Sequence, residues 1–374
     1  MQAKGAKPGP LKGGCSVKRY NNLFPAIYDF EGLYQSYLKA RKGKRERNEV
    51  LRFTYSLEEN LIQLQNELIW KCYKVSPYRQ FFINEPKKRL IMALPFKDRV
   101  VQWSIYRNLN PLFDKRYITD SYACRVGYGG HKSIDKLQYW LRLLEKQHKR
   151  TYYLKLDMTK YFYRVDHNIV MSILERILKD RNLLELLETI VRCEHTPFGL
   201  SLDDNGFEGA LIENVGMPIG NLSSQMIANL YLNELDQYIK HHHRVRHYMR
   251  YMDDALILHH DKKYLWHLKN DLEEFVNLRL RLKLNDKTDV GYYYQGIDWV
   301  GYRVWPTHIK LRKSTAKRMR RRLKYLQKMY QAGEATLEEV NATVQSYLGL
   351  LMHCDSYNLR QKLFDELVFI QNSA

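Results

Sequence analysis

Cysteine is scarce in this chain and never paired. Cys15, Cys72, Cys124, Cys193 and Cys354 are the five cysteines of a 374-residue sequence, and none forms a CxxC pair. Neither a zinc ribbon nor a disulfide framework is indicated. Long apolar runs are also lacking. The N-terminus carries Lys4, Lys7, Pro8, Pro10 and several glycines with no hydrophobic stretch behind them, which excludes a secretory signal peptide. No later run is apolar for long enough to span a bilayer, so a soluble, reducing, cytoplasmic setting without membrane contact is expected. There is no internal repeat and no long linker, and the strands and helices of the middle do not alternate with the spacing of a parallel α/β barrel. Negative charge is in deficit: 41 Asp and Glu stand against 61 Lys and Arg, a formal net charge of +20. Such a surplus points to a polyanionic partner whose counterions are released on binding, the alternative being a surplus that serves solubility.

A hydrophobic fraction of 45% and an aromatic fraction of 13% describe a folded chain, long enough for two or three packed subdomains. Residues 1–19, rich in Gly, Lys and Pro, read as a flexible basic arm. From Tyr28 to Tyr73 the apolar spacing is helical, and FFIN and RLIMAL, between Gln80 and Leu94, read as two strands around a basic turn, Pro86-Lys87-Lys88. YYLKL (152–156) predicts a strand ending at Asp157, followed by a long amphipathic helix over Asn168–Cys193. A second helix is expected over Leu222–Ile239, then a tight hairpin with arms His247–Met252 and Ala255–His259, then a helix over Lys263–Leu278. Strand-like pieces follow at RLKLN and IDWVGYRV, and three helices from Ser314 onward divide near Gly333 and Asp355. The whole reads as an α+β sheet domain with a helical C-terminal domain.

The chemistry is carried by carboxylates. Asp157 follows a hydrophobic strand, and Asp253 and Asp254 occupy the turn of a hairpin with apolar arms; adjacent strands would bring all three to one sheet edge. An Asp-Asp pair in a turn is ordinarily solvated turn chemistry, but the combination with a third carboxylate at a strand end is much rarer. Nucleotidyl transfer is commonly driven by two Mg²⁺ ions about 3.5–4 Å apart, held by a few aspartates on rigid neighbouring elements. The run His241-His242-His243 follows directly on a helix without matching ligands nearby, so a metal role is set aside for it.

At this point a family resemblance becomes specific. Tyr251-Met252-Asp253-Asp254 matches the Tyr-x-Asp-Asp box of reverse transcriptases, and LKLDMTKYFYRVDH from Leu154 resembles the strand box that supplies their first aspartate. The resemblance covers roughly residues 18–370 and implies a right-hand polymerase: fingers with the first palm elements over 20–150, a palm over 151–305 and a helical thumb over 306–374. It implies that Asp157, Asp253 and Asp254 are catalytic and metal-binding, Asp254 in a lesser role, with Mg²⁺ as the cofactor and Mn²⁺ able to substitute. Phe162 stands where the family carries an aromatic gate against a ribose 2′-hydroxyl; a core aromatic is the alternative. KKRLIMALPFKDRVVQ from Lys87 is similar to the fingers segment that grips the incoming deoxynucleoside triphosphate, with Arg89 as the bidentate phosphate contact aided by Lys88. SYACRVGYGGHKSI from Ser121 resembles the box in which Arg125 approaches template or nucleotide. Residues 296–302 resemble the hairpin that grips the primer, which implies contacts at Gly301 and Tyr302 beside Tyr251, and Lys287 matches a lysine that approaches the triphosphate. From Lys317 a helix carries Lys317, Arg318 and Arg321 around the apolar stripe Met319, Leu323, Leu326, as in a thumb riding on a cDNA/RNA duplex; a solvated charged face is the alternative.

One box bears on the class. In GMPIGNLSSQMIANLYLNELD from Gly216, Ile219 and Gln225 replace the Gln and Pro typical of group II intron and retron enzymes, and Ile219-Gly220 with Ser224-Gln225 resembles diversity-generating retroelement reverse transcriptases. WPTHIKLRKS from Trp305 is similar to the palm-to-thumb passage of that family. The resemblance implies copying of a template-repeat RNA into adenine-mutagenised cDNA, with Ile219, Gly220 and Gln225 near the nucleotide and a basic helical accessory protein as partner. No room is expected after the third thumb helix for a maturase extension, endonuclease or RNase H domain. The rivals are an intron-like or defence-associated reverse transcriptase and a non-catalytic RNA-binding scaffold.

Overall fold

Capping side chains and apolar stripes set the elements in the computed structural model, which describes residues 19–83, 89–147, 150–193, 196, 198–199, 211–364 and 369. The basic turn Pro86-Lys87-Lys88 and, but for Arg19, the N-terminal arm lie outside the described residues. Helices α1 (Phe24–Tyr28), α2 (Phe30–Arg41), α3 (Asn48–Tyr55) and α4 (Leu57–Ile69) precede a hairpin of β1 (Arg79–Ile83) and β2 (Arg89–Ala93). Then come α5 (Phe96–Asp114), α6 (Gly130–Lys146), β3 (Tyr152–Leu156), α7 (His167–Ile177), α8 (Arg181–Arg192) and α9 (Leu222–Gln237). The hairpin β4 (His247–Tyr251) and β5 (Asp254–His259) leads to α10 (Lys262–Leu280), β6 (Asp289–Tyr292) and the short strands β7 (Ile297–Trp299), β8 (Tyr302–Val304) and β9 (Ile309–Leu311). Helices α11 (Lys313–Gln331), α12 (Leu337–Leu351) and α13 (Tyr357–Phe364) follow.

The chain forms two compact units, Met1–Asn110 with Val165–Ser224 and Pro111–Arg164 with Gln225–Ala374. In the first, Leu33, Tyr37, Leu61, Leu64 and Leu68 are buried at helical spacing, and Leu90 and Met92 of β2 pack with Cys193 and Phe198. The single helix expected over Asn168–Cys193 is two. Leu178 turns extended (φ −106°, ψ 140°), and Asp180 caps α8 by accepting from Leu183 N at 3.2 Å. The other oxygen of Asp180 accepts from Leu23 N at 2.8 Å and Phe24 N at 2.9 Å, so one carboxylate ties the start of α1 to the start of α8. A short carboxylate satisfies orphan amides better at a helix start than inside a helix, which is why the break falls there.

The second unit holds the sheet that matters for function, four antiparallel strands in the order β4-β5-β3-β6. Leu154, Leu156, Ala255 and Ile257 fill one face, and Leu265, Leu268, Leu272 and Val276 of α10 are buried along its stripe. The strand expected at RLKLN is only an isolated bridge, Leu284 to Met158; the outer strand is DVGY (289–292). Strands β7, β8 and β9 make a separate antiparallel sheet. In α11, Met319, Leu323 and Leu326 are buried while Lys317, Arg318 and Arg321 are exposed, and α12 starts on a capping box of Thr336 and Glu339. Among the described residues no helix is long and apolar enough to cross a membrane.

Asp180→Ala strips the acceptor from three backbone amides and is expected to destabilise the first unit by about 3 kcal/mol. Thermal melting checks this: Asp180→Asn, which keeps one carbonyl oxygen, recovers part of the loss.

Candidate active site

The carboxylates are placed by strand register. Strands β3 and β5 pair with Leu156 opposite Ala255, so the next step sets Asp157 opposite Asp254 at the end of the sheet. In the hairpin, Tyr251 pairs with Asp254, leaving Met252 and Asp253 as a two-residue turn. Met252 holds φ +56°, a left-handed conformation that costs a non-glycine residue about 1–2 kcal/mol. All three aspartates are half-buried. Lys155 reaches Asp254 Oδ1 at 3.6 Å and also donates to the Asp298 carbonyl at 3.3 Å.

Asn285 staples a loop to the first aspartate. Its amide N donates to the Asp157 carbonyl at 2.7 Å and its Nδ2 to Asp157 Oδ2 at 3.1 Å, while its own Oδ1 accepts from Lys287 N at 3.1 Å. Lys287, exposed on that loop, is thereby held beside the strand that ends at Asp157. Sequence reasoning did not single out Asn285 or Lys155. Asn285-Asp286-Lys287 carries the composition of an Asx turn, and that signal could have found the first of them.

Other expected residues of this unit divide into exposed and internally committed. Phe162 is half-buried in a 3-10 turn; its neighbour Tyr161, donating to the Ala228 carbonyl at 2.6 Å, is the fully buried aromatic there. Burial raises the Tyr161 hydroxyl well above its ordinary range, so it stays protonated. Gln225 Oε1 lies 3.7 Å from the Cys124 thiol. The turn after β7 carries Val300 at φ +43° and Gly301 at φ +86°; a Cβ on Gly130 would come 2.9 Å from Val300 Cγ1 and 4.0 Å from the Tyr251 ring. The Val300–Gly301 turn and the Tyr251 ring thus both lie close to Gly130. Tyr302 is buried and donates to the Leu350 carbonyl at 2.9 Å, which makes it a tether to α12. Arg125 has a side chain only 5% exposed. It forks onto Asp114 at 2.6 and 3.2 Å, donates to the Ile118 and Ser121 carbonyls at 2.9 Å each, and lies over the Tyr128 ring at 4.0 Å. Its donors serve the loop it stands in.

In the first unit Arg89 opens β2 and is exposed; Lys88 lies outside the described residues. The Ile219 carbonyl accepts from Met92 N of that strand at 3.2 Å, and Gly220 holds φ +115° with space for a Cβ 3.4 Å from Ile91 Cγ2. Ile219 and Gly220 are thus hydrogen-bonded to the strand that begins at Arg89. Asn221 Nδ2 extends the same attachment to the Tyr78 hydroxyl at 3.1 Å.

The carboxylate set suits a hard divalent cation: oxygen donors on adjacent strands, half open to solvent. Among the described residues no group of three or more His, Cys, Asp or Glu could hold a metal ion, so the three aspartates are not gathered as a preformed three-ligand cluster. An open set that shares its ion with water and phosphate is the arrangement Mg²⁺ accepts most readily.

An antiparallel sheet with carboxylates at one end and a hairpin turn between two of its strands is consistent with a polymerase palm. The family model for reverse transcriptase (RNA-dependent DNA polymerase) matches residues 83–304. The chain belongs to that family and is an RNA-directed DNA polymerase. Protein YkfC of Escherichia coli (strain K12) is 25% identical over 276 residues, 64% of this chain and 70% of that protein. The putative COX1/OXI3 intron 1 protein of Saccharomyces cerevisiae is 22% identical over 59% of this chain and 25% of its own length. Nuclear intron maturase 2, mitochondrial, of Arabidopsis thaliana is 26% identical over 35% of this chain and 19% of its own. The chain spans only a quarter or less of these two intron-related proteins. A solved telomerase from Candida albicans in complex with a fragment of telomeric RNA superposes with a TM-score of 0.45 at 14% identity, over 80% of this chain and 56% of that one.

Arg125→Ala is expected to lower stability by about 2–3 kcal/mol, the partial exposure of Asp114 reducing the charge contribution. Melting and template-binding measurements check it together: a normal melt with weakened template affinity would return Arg125 to the template.

Proposed function

We propose that this reverse transcriptase is of the diversity-generating type, copying a template-repeat RNA into cDNA with errors concentrated opposite adenines. The observation that carries the reading is the box Ile219-Gly220…Ser224-Gln225, whose first member is hydrogen-bonded to the strand that starts with Arg89. A glutamine at residue 219 could add hydrogen bonds that reject wrong base-pair geometry, whereas Ile219 offers a stiff apolar surface. Hydrogen-bonding sites discriminate far better than apolar ones, so looser selection follows.

In this reading Asp157 and Asp253 hold two Mg²⁺ ions, with Asp254, drawn toward Lys155, in the lesser role. Held by these carboxylates, divalent ions would supply activation of the primer 3′-hydroxyl and neutralisation of charge on the triphosphate. The chain's own groups do the positioning. Asn285 holds Asp157 and presents Lys287 to a triphosphate, Arg89 is the phosphate contact of its own unit, and Phe162 excludes a ribose 2′-hydroxyl. Val300 and Gly301 approach the primer beside Tyr251, and Lys317, Arg318 and Arg321 on the exposed side of α11 follow the duplex backbone. A basic helical accessory protein is the expected partner. The intron-related relatives favour a second reading, an accurate intron-type enzyme.

Primer extension on an RNA template with Mg²⁺ and deoxynucleotides, followed by sequencing, separates these. The account predicts cDNA lost in Asp253→Ala and, with the accessory protein and native RNA present, errors concentrated opposite adenines. Accurate cDNA under those conditions would leave the intron-type reading, and undiminished synthesis by Asp253→Ala would remove the metal role of that carboxylate. Ile219→Gln is expected to lower the adenine error frequency severalfold, and an unchanged frequency would sink the role given to residue 219.

A further inference from the structure

Beneath the Met252–Asp253 turn lies a buried charged network that the polymerase reading does not use. Arg250 on β4 has a side chain 1% exposed, and Asp236 on α9 is 0% exposed. The guanidinium forks onto Asp236 with Nε to Oδ1 at 2.7 Å and Nη2 to Oδ2 at 2.6 Å. Its remaining donor edge meets three oxygens: Nη1 reaches Asn229 Oδ1 at 2.8 Å and the Met252 carbonyl at 2.9 Å, and Nη2 reaches the Asn229 carbonyl at 3.3 Å. The Tyr248 hydroxyl adds a second donor to Asp236 Oδ1 at 2.6 Å, and Asn229 Nδ2 is fixed on the Ala123 carbonyl at 3.0 Å. The backbone of Arg250 is held as well, its N donating to the Asp120 carbonyl and its carbonyl accepting from Tyr122 N, each at 2.9 Å.

We propose that Arg250 is a positioning residue for the metal-binding turn, acting through the Met252 carbonyl. The inference rests on the reading of Asp253 as a metal-binding carboxylate and adds the group that orients it. The carbonyl of Met252 and the amide of Asp253 share one peptide plane, so fixing that oxygen fixes where the Asp253 Cα stands. Met252 is in the left-handed region at φ +56°, which a side chain resists, and the charge-assisted bond from Arg250 opposes relaxation of the turn. The network gives the turn a rigid anchor on α9, and only a planar fork reaches Asp236, Asn229 and Met252 together. A lysine ammonium in its place can meet Asp236 but not all three.

Arg250→Lys keeps the buried charge pair and removes the reach to Met252. The expected result is a folded protein with a lowered melt, unchanged primer–template affinity, and a fall of roughly tenfold to a hundredfold in Mn²⁺ affinity read by electron paramagnetic resonance, as for groups that support metal ligands elsewhere. Hydrogen exchange in a peptide covering residues 251–255 should rise, and extension should recover in part at high Mg²⁺. Tyr248→Phe, which loosens Asp236 without touching the Met252 bond, should leave Mn²⁺ affinity and exchange unchanged. If Arg250→Lys does not fold, Arg250→Met with Asp236→Asn removes both charges and serves the same test. Wild-type Mn²⁺ affinity and exchange in a folded Arg250 variant would overturn the proposal. Asp253→Asn distinguishes this failure from that of the reading beneath it: if Asp253→Asn binds Mn²⁺ normally the carboxylate role is wrong, and if only Asp253→Asn loses Mn²⁺ the positioning role alone is wrong.

Discussion

The antiparallel register of β3 against β5 is the constraint on which the functional account depends. Side chains alternate across a strand, so a slip of one residue would send Asp157 to the other face and break its match with Asp254. Burial favours this register: Leu154, Leu156, Ala255 and Ile257 share one core face, and a one-residue slip of β3 would turn Leu154 and Leu156 away from it. The carboxylates need no core of their own. They are carried to the sheet end by residues selected for packing.

What holds the end of the sheet is polar. Asn285 fixes Asp157 from the β6 side through backbone and side-chain bonds, and Arg250 of β4, held by Asp236 of α9, bonds the Met252 carbonyl. A buried ion pair such as Arg250 with Asp236 contributes little net stability after desolvation and is strongly destabilising when half of it is removed. Its value lies in a single geometry, which suits a turn that keeps a non-glycine residue at positive φ. Rigidity of this kind suits phosphoryl transfer, because little of the chemistry is covalent and most of it is placement.

Local signals made much of this legible. YYLKL with its terminal aspartate, the hairpin around Asp253-Asp254, the hairpin of β1 and β2 and the striped helix at Lys317 all declare themselves within a few residues, because alternation and helical spacing are short-range properties. The outer strand DVGY was displaced to RLKLN because Asp289 and Gly291 spoil its alternation; β3 supplies the pairing that makes it a strand. The helix expected over Asn168–Cys193 overran Asp180, where a tertiary contact with the start of α1 adds to a local cap. Charged residues were the hardest to read. Arg125 and Arg250 look alike in sequence to Arg89 and Arg318, yet the first two are spent inside the fold and the last two are exposed, a difference set by partners far along the chain. Likewise the family motif placed Tyr302 at the primer, and the fold buries it against α12.

The central claim is that Asp157 and Asp253 form one divalent-metal site. Iron-mediated hydroxyl-radical cleavage tests it most directly: Fe²⁺ replaces the native ion, ascorbate and peroxide start the reaction, and the fragments are mapped along the chain. The account predicts cuts clustered near Asp157, at Met252–Asp254 and near Asn285, all suppressed by excess Mg²⁺. Cuts centred elsewhere, at His241–His243 for example, or a pattern that Mg²⁺ does not suppress, would contradict it.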